Sequence, residues 1–245
     1  MGTEDTISES FLGEARSQLM AKLMAYEAED IYNVDESGLF FMQMPTRSYV
    51  QGELQSKEVK RQKERVTILL SCSLAREKMK PLLIGKHWRP RVLKHIDIYA
   101  LPCHYKANKN AWLTRAIFSD WVSVLNTQML LAGRKICLLL DNFSGHKLEE
   151  VYSNIELVFL PPGTTSVLQP LDCGIIRSVK ARYSALLANK RLKSSDCLIT
   201  FKPSIKDAVF LIAEAWTSVD AVLIRNCWRK ANISNPTLFD LGDAI

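Results

Sequence analysis

Several common signatures of function are missing from this sequence. The six cysteines are spread out without a CxxC pair, so we expect no zinc finger and a reduced, intracellular protein. No apolar run approaches about 18 residues, which argues against a membrane-spanning helix. The opening residues, MGTEDTISES, lack the basic and apolar regions of a secretory signal. A Gly-rich phosphate loop, a Ser-His-Asp order and an HExxH motif are also absent, so the catalytic templates that depend on them lack support. We also expect no small-molecule cofactor.

Composition and charge are those of a folded domain with one basic region. The 245 residues are 47% hydrophobic and 24% charged, which suits a single sizeable domain with a buried core. The formal net charge is +6, yet residues 57–94 alone carry +9. Such a concentration favours a polyanion such as nucleic acid as partner, although a solvated loop explains the charge equally well.

Hydrophobic periodicity predicts an α/β fold. Helices are predicted at residues 10–28, 112–133, 171–190 and 205–231. Strands are predicted within residues 30–42, interrupted by a turn at Ser37-Gly38, and at 66–75, 80–86, 136–140 and 155–160. Residues 44–64 are predicted to be loop and residues 87–109 irregular. The run Ile136–Leu140 is apolar without alternation, which indicates a strand covered on both faces in the middle of an α/β sheet.

Three aspartates lie where such a sheet places ligand sites. Asp141 follows the apolar run, Asp172 lies where a helix begins, and Asp35 ends a short β-like run. Each alone is most simply a turn or helix-cap residue. Together, two strand ends and a helix start can converge, and three carboxylates suit two Mg²⁺ or Mn²⁺ ions. Such ions activate an attacking water or 3′-hydroxyl and stabilise the leaving oxygen of a phosphodiester.

Five sequence strings carry a specific resemblance. They are DESGLF, the GK at residues 85–86, YKANKNAW, LLLDNFSGH and LPPGTTSVLQPLDCGII. The set resembles the transposase domain of the pogo/Tigger/jerky group of the DDE superfamily, to which centromere-binding protein B is related. It runs from about Ile31 to Tyr183 and faintly into residues 224–230. The chain departs from the group at Gly163, where relatives often have Asn, and at Cys173, where they often have Gln.

The resemblance implies an α/β fold with a ribonuclease H-like mixed sheet flanked by helices. It also implies that the protein is located in the nucleus. It further implies that Asp35, Asp141 and Asp172 are catalytic and hold two Mg²⁺ or Mn²⁺ ions. DNA is the expected partner, and a homodimer is one candidate assembly. The function expected is metal-dependent DNA cleavage and strand transfer. The alternative is a domesticated, catalytically inactive nuclear DNA-binding or scaffold protein.

Domain boundaries follow from the same resemblance. Relatives usually carry two helix-turn-helix domains before the catalytic domain, whereas about thirty residues precede Asp35 here. We therefore expect an isolated or truncated catalytic domain. The predicted division is an N-terminal helical remnant at 1–30, the DDE domain at 31–195 and a C-terminal helical extension at 196–245.

Several polar residues near these motifs are candidates for DNA contact. They are Lys86, Arg89, Lys106, Lys109, His146, Gln169 and Lys180. The basic members can neutralise backbone phosphates. Other roles remain open, since His146 can cap a turn and Gln169 can satisfy a loop backbone. Trp88 and Trp112 can stack on an unpaired base, although Trp112 falls on the apolar stripe of a predicted helix and is expected in the core.

Overall fold

The strands form one six-stranded mixed sheet in a computed structural model that describes residues 8–43, 64–195 and 201–233. The strands are β1 (Ile31–Leu39), β2 (Val66–Ser73), β3 (Leu82–Gly85), β4 (His104–Ala107), β5 (Ile136–Leu140) and β6 (Ile155–Phe159). Their order across the sheet is β4-β3-β2-β1-β5-β6. The β1–β2 and β2–β3 pairs are antiparallel, whereas β1–β5, β5–β6 and β3–β4 are parallel.

Helices cover both faces of this sheet. They are α1 (Glu9–Leu23), α2 (Arg115–Leu131), α3 (Thr165–Leu168), α4 (Ile176–Ser195), α5 (Ile205–Thr217) and α6 (Ala221–Ala231). Helix α2 packs Phe118 and Val122 on one face of the sheet, against a core that includes Val34 and Leu138. Residues of α1, α4, α5 and α6 share a second core on the other face. All five residues of β5 are buried, which confirms the covered strand inferred from its unbroken apolar run. No described helix is long and apolar enough to cross a bilayer.

Strand β1 differs from its prediction. The predicted turn at Ser37-Gly38 is wrong, because both residues continue the strand and pair with Ile68 and Thr67 of β2. Glycine is suited to this position because the side chain of Arg65 occupies the space of a Cβ, with its Nε 2.7 Å from that point. Asp35 therefore lies within a long strand and not at a strand end.

Two further regions also differ from prediction. The segment 87–109 was expected to be irregular but contains β4, which pairs in parallel with β3. The helical region at 205–231 is divided into α5 and α6 by a turn that ends at Asp220, whose side chain accepts a hydrogen bond from the Leu223 amide. The predicted β2–β3 hairpin is confirmed by their antiparallel pairing.

The turn of this hairpin holds the end of α5. The ammonium of Lys78 donates to the backbone oxygens of Trp216, Thr217 and Val219 at 2.7–3.1 Å. Because the last carbonyls of a helix lack intrahelical partners, this cation satisfies them. The C-terminal helices are thus tied to the sheet.

The domain boundaries at 30/31 and 195/196 stay predictions, and most of the predicted loop at 44–64 lies outside the described residues.

Candidate active site

The parallel pairing of β1 and β5 sets two of the acids side by side. Asn33 is the register partner of Leu139, and Asp35 and Asp141 each follow these residues by two positions, so the two acids lie on neighbouring segments. Asp141 follows the last residue of β5. Asp172 lies in a turn, Leu171–Ile175, that leads from α3 into α4. This turn contacts β1, because the Leu171 amide donates to the Asn33 side-chain oxygen at 2.8 Å.

Asp35 and Asp172 form a close carboxyl pair. Burial raises the pKa of Asp35 well above its usual value, and the negative charges of Asp172 and Glu36 raise it further. Burial also raises the pKa of Asp172, while its interaction with Asp35 opposes that rise. Two neighbouring carboxyl groups shielded from water resist ionising together.

Asp141 is held in the ionised form. Its Oδ1 accepts hydrogen bonds from the Phe143 amide at 3.1 Å and from His146 Nδ1 at 2.7 Å. Burial alone would raise the pKa of this carboxyl, but these two bonds outweigh it and the pKa is lowered. Both bonds fall on the same oxygen, so Oδ2 is the atom that can face a ligand.

The prediction that His146 contacts DNA is wrong. Its ring is fully buried, with the rings of Phe118 and Phe143 at centroid distances of 4.8 and 5.4 Å. Its Nε2 lies 3.0 Å from Glu36 Oε2. Burial lowers the pKa of His146, but the hydrogen bond to Asp141 and the negative charge of Glu36 raise it to about 9. A buried imidazolium therefore links two carboxylates and orients Asp141.

Gln169 is also enclosed and does not offer a surface to DNA. Its side chain is fully buried, and neither polar atom of the amide has a partner that meets hydrogen-bond geometry. The amide nevertheless lies near enough to Asp35 to lower the pKa of that carboxyl. We therefore correct the DNA-contact prediction, since Gln169 faces the buried acid.

Of the predicted basic residues, Lys180 lies at the acids. Burial lowers its pKa, while the charges of Asp35 and Asp172 raise it and that of Arg65 lowers it. Lys86 is exposed at the mouth of a cavity of about 410 Å³ that Arg65 and Arg91 also line. Cationic groups thus extend from Lys180 through Arg65 towards Lys86.

The remaining basic candidates have separate surroundings. Arg89 and Lys109 are exposed. Lys106 pairs with Asp120 of α2, beside a different cavity that Tyr32 and Trp121 also line. The structure therefore places only Lys180 among the acids.

Trp112 is not a core residue, contrary to its prediction. Helix α2 begins after it, at Arg115, and the side chain is 51% exposed. The Arg65 guanidinium lies 4.7 Å from the centroid of the Trp112 ring, within the range of a cation–π contact. Trp88 is exposed as well.

Three residues of this region were missed by sequence reasoning. They are Asn33, Glu36 and Arg65. Asn33 had a usable signal, because residues i and i+2 of a strand share a face and Asn33 precedes Asp35 by two. Glu36 and Arg65 gave no such signal, since their partners are distant in the chain.

The acids suit a divalent cation by chemistry but do not yet surround one. Within the described residues, no group of three or more His, Cys, Asp or Glu side chains stands ready to hold a metal ion. The donor set nonetheless consists of carboxylate oxygens, which Mg²⁺ and Mn²⁺ prefer. Crowded negative charge around Asp35 and the unpartnered Gln169 amide beside it fit a site that a cation completes.

Comparison with known families agrees with this arrangement. The profile of the DDE superfamily endonucleases matches residues 63–228. The chain belongs to this family. The matched range includes Asp141 and Asp172 and begins after Asp35, so the assignment of Asp35 depends on the structure and on the resemblance of its own motif.

Curated relatives come from the same group. The chain is 32% identical over 213 residues to Tigger transposable element-derived protein 4 of Mus musculus, covering 86% of this chain and 41% of that protein. It is 34% identical over 215 residues to the Jerky protein homolog of Homo sapiens, covering 83% and 37%. Major centromere autoantigen B of Homo sapiens is 28% identical over 215 residues, covering 84% and 34%. The expected kinship with the pogo/Tigger/jerky group is confirmed, and the chain spans about two fifths or less of these relatives.

Solved structures show the fold. The catalytic domain of Mos1 mariner transposase has a TM-score of 0.52 and 12% identity, covering 98% of this chain and 95% of that chain. The Mos1 transposase paired-end complex with left transposon end has a TM-score of 0.57 and 12% identity, covering 98% and 63%. The predicted ribonuclease H-like mixed sheet flanked by helices is confirmed.

Proposed function

We propose that this DDE endonuclease domain is a divalent-metal-dependent DNA endonuclease that also performs strand transfer. The observation that carries the proposal is that the three segments bearing Asp35, Asp141 and Asp172 adjoin one another. The charges of Asp172 and Asp141 both raise the pKa of Asp35, as expected for neighbouring carboxylates. All three acids are intact, so we do not adopt the alternative of an inactive scaffold.

Asp35, Asp141 and Asp172 would hold two Mg²⁺ or Mn²⁺ ions. When bound, the ions would lower the pKa of the attacking water or 3′-hydroxyl and stabilise the leaving oxygen. The Mos1 mariner paired-end complex, which has a similar fold, was solved with Mn, and this supports the choice of metal.

The protein itself supplies orientation and charge. His146 holds Asp141 Oδ1 at 2.7 Å, which leaves the other carboxyl oxygen for the ion. Lys180 lies near enough to Asp35 and Asp172 to feel their charges, and Arg65 lies near Lys180. A DNA backbone that approaches the acids would meet these two cations, and then Lys86 at the cavity that Arg65 and Arg91 also line.

Plasmid nicking tests the reaction directly. Supercoiled plasmid is incubated with the protein in Mg²⁺ or Mn²⁺, and open-circular product is measured over time. Asp141→Asn and Asp172→Asn should abolish nicking. Asp120→Asn should leave it unchanged, because Asp120 pairs with Lys106 on α2 away from the acids. Nicking by Asp141→Asn at the parent rate would refute the proposal.

Metal stoichiometry gives an independent test. Calorimetric titration with Mn²⁺ should find two ions bound to the parent, and loss of at least one in Asp141→Asn. Absence of binding to the folded parent would contradict the proposal.

Location and assembly belong to the same proposal. A nuclear location is tested by imaging a fluorescent fusion, and a homodimer by light scattering with and without DNA. Exclusion of the fusion from the nucleus would contradict the first, and a monomeric mass under both conditions would contradict the second.

A further inference from the structure

One buried amide joins the three chain segments that carry the acids. Asn33 is fully buried in β1. Its Nδ2 donates to the backbone oxygen of Leu139 in β5 at 3.1 Å, and its Oδ1 accepts from the backbone amide of Leu171 at 2.8 Å. Both hydrogen bonds run between segments more than a hundred residues apart in sequence.

Each end of this bridge lies next to an acid. Asp35 follows Asn33 by two residues, Asp141 follows Leu139 by two, and Asp172 follows Leu171 by one. We propose that Asn33 is the positioning residue of the site, and that its amide fixes the Asp172 turn against β1 and β5. The role of Asn33 in catalysis rests on the proposed function, whereas its role in holding the Asp172 turn does not.

Asparagine is the residue type that this bridge requires. Leu139 offers an acceptor and Leu171 offers a donor, so the bridging side chain must donate and accept at once. A leucine of similar size does neither, so the Leu171 amide and the Leu139 oxygen both lose this side-chain partner. A serine retains a polar group, but its short side chain does not span both partners.

The turn that bears Asp172 depends on such an external hold. It begins directly after Pro170 and contains Gly174 at φ +151°, outside regular helical geometry. The Leu171 amide has its partner in β1 and not within a helix. Loss of the bridge should therefore loosen this turn before it loosens the sheet.

A second buried asparagine provides a matched control. Asn154 is 8% exposed and precedes β6. Its Nδ2 donates to the Arg134 carbonyl at 2.7 Å and its Oδ1 accepts from Ser153 Oγ at 2.8 Å. Its backbone oxygen pairs with the amide of Ile136, the first residue of β5, so it lies at the opposite end of that strand from Asp141.

Amide hydrogen exchange tests the geometry without metal or DNA. Asn33→Leu and Asn33→Ser are compared with Asn154→Leu by NMR or mass spectrometry. The Asn33 variants should speed exchange of residues 171–175 by about tenfold or more relative to the amides of β5, as expected for local opening. Asn154→Leu should not. Unchanged exchange in the turn, or the same change in both sets of variants, would overturn the proposal.

Manganese affinity then separates positioning from a merely structural role. By calorimetry, both Asn33 variants should bind Mn²⁺ about 10–100-fold more weakly than the parent, the usual effect of disturbing residues that orient metal ligands. Asn154→Leu should bind as the parent does. Parental affinity in the Asn33 variants, despite a loosened turn, would overturn the positioning role. If the folded parent binds no Mn²⁺, the proposed function fails, and the exchange data alone decide whether Asn33 holds the turn.

Discussion

The two ends of strands β1 and β5 both carry charged clusters, but the clusters are built differently. Before these strands begin, the Arg134 guanidinium donates to Asp30 at 2.8 Å and to the Glu29 carbonyl at 2.9 Å. Its Nη2 also lies 3.7 Å from Glu77. Burial lowers the pKa of Arg134, but the bond to Asp30 raises it above its usual value. At this end, the charges stabilise one another.

The opposite end leaves part of its charge uncompensated. Asp35 is buried, and the charges of Asp172, Glu36 and Asp141 all raise its pKa. Desolvated like charges weaken a fold unless a counter-ion binds. The comparison indicates that the charges at the Arg134 end stabilise the fold, whereas those around Asp35 oppose the ionisation of that carboxyl.

The largest effect is expected from Asp35→Asn. Removing this ligand should reduce nicking by roughly 100-fold or more. The same change removes a buried carboxyl from a cluster of like charge, so the metal-free variant should be more stable by about 1 kcal/mol. Plasmid nicking and urea unfolding in EDTA measure the two effects. A variant that is both inactive and less stable would break the comparison.

His146 should produce the next largest effect. His146→Leu removes the donor to Asp141 and the positive charge beside Glu36, and nicking should fall about 10–100-fold. His146→Asn retains a donor near the position of Nδ1, so its nicking should fall less. Nicking rates and Mn²⁺ affinities of the two variants check this order. Equal losses would mean that Glu36, and not Asp141, is the partner that matters.

Arg134→Met tests the other end. The substitution keeps much of the aliphatic volume but leaves Asp30, whose side chain is 18% exposed, without its partner. We expect the free energy of unfolding to fall by about 1–2 kcal/mol. Nicking per folded molecule should be unchanged. A loss of activity larger than the loss of folded protein would show that the two ends are coupled.

Sequence reasoning located the strongest parts of this site. The unbroken apolar run predicts the strand that ends before Asp141, as the structure has it. The helix expected to begin at Asp172 begins instead at Ile176, after the turn that bears Asp172. The motif identifies Asp35, but the prediction that Asp35 ends a strand is wrong, because β1 continues to Leu39. A Ser-Gly pair usually marks a turn, and only the pairing of β1 with β2 along its length keeps Gly38 extended.

The errors share a physical cause. His146 is buried by Phe118, which lies 28 positions earlier and reaches it only because α2 packs on the sheet. Strand β4 has only four residues and gains its structure from parallel pairing with β3. Burial and pairing of this kind depend on contacts between distant segments, and periodicity within a window does not contain them.

The smallest effect is expected at Asp207, a carboxylate that lies outside both clusters and has full compensation. Its Oδ2 accepts from Ser204 Oγ at 2.6 Å and from the Ser204 amide at 2.9 Å, and Lys190 pairs with its other oxygen. Burial raises its pKa, but the bonds from Lys190 and Ser204 outweigh burial and lower it. Asp207→Asn should therefore reduce stability by about 0.5–1 kcal/mol at pH 7.

The lowered pKa of Asp207 predicts how the stability difference between the parent and Asp207→Asn changes with pH. A lowered folded-state pKa contributes stability that is present above the unfolded value of about 4 and is lost as the pH falls through the folded value. The difference between parent and Asp207→Asn should thus be constant from pH 7 to pH 5 and shrink below about pH 4. Urea unfolding at pH 7, 5, 4 and 3 measures it. A difference that grew on acidification would mean that Asp207 is destabilised by burial, as Asp35 is, and that Lys190 does not compensate its charge.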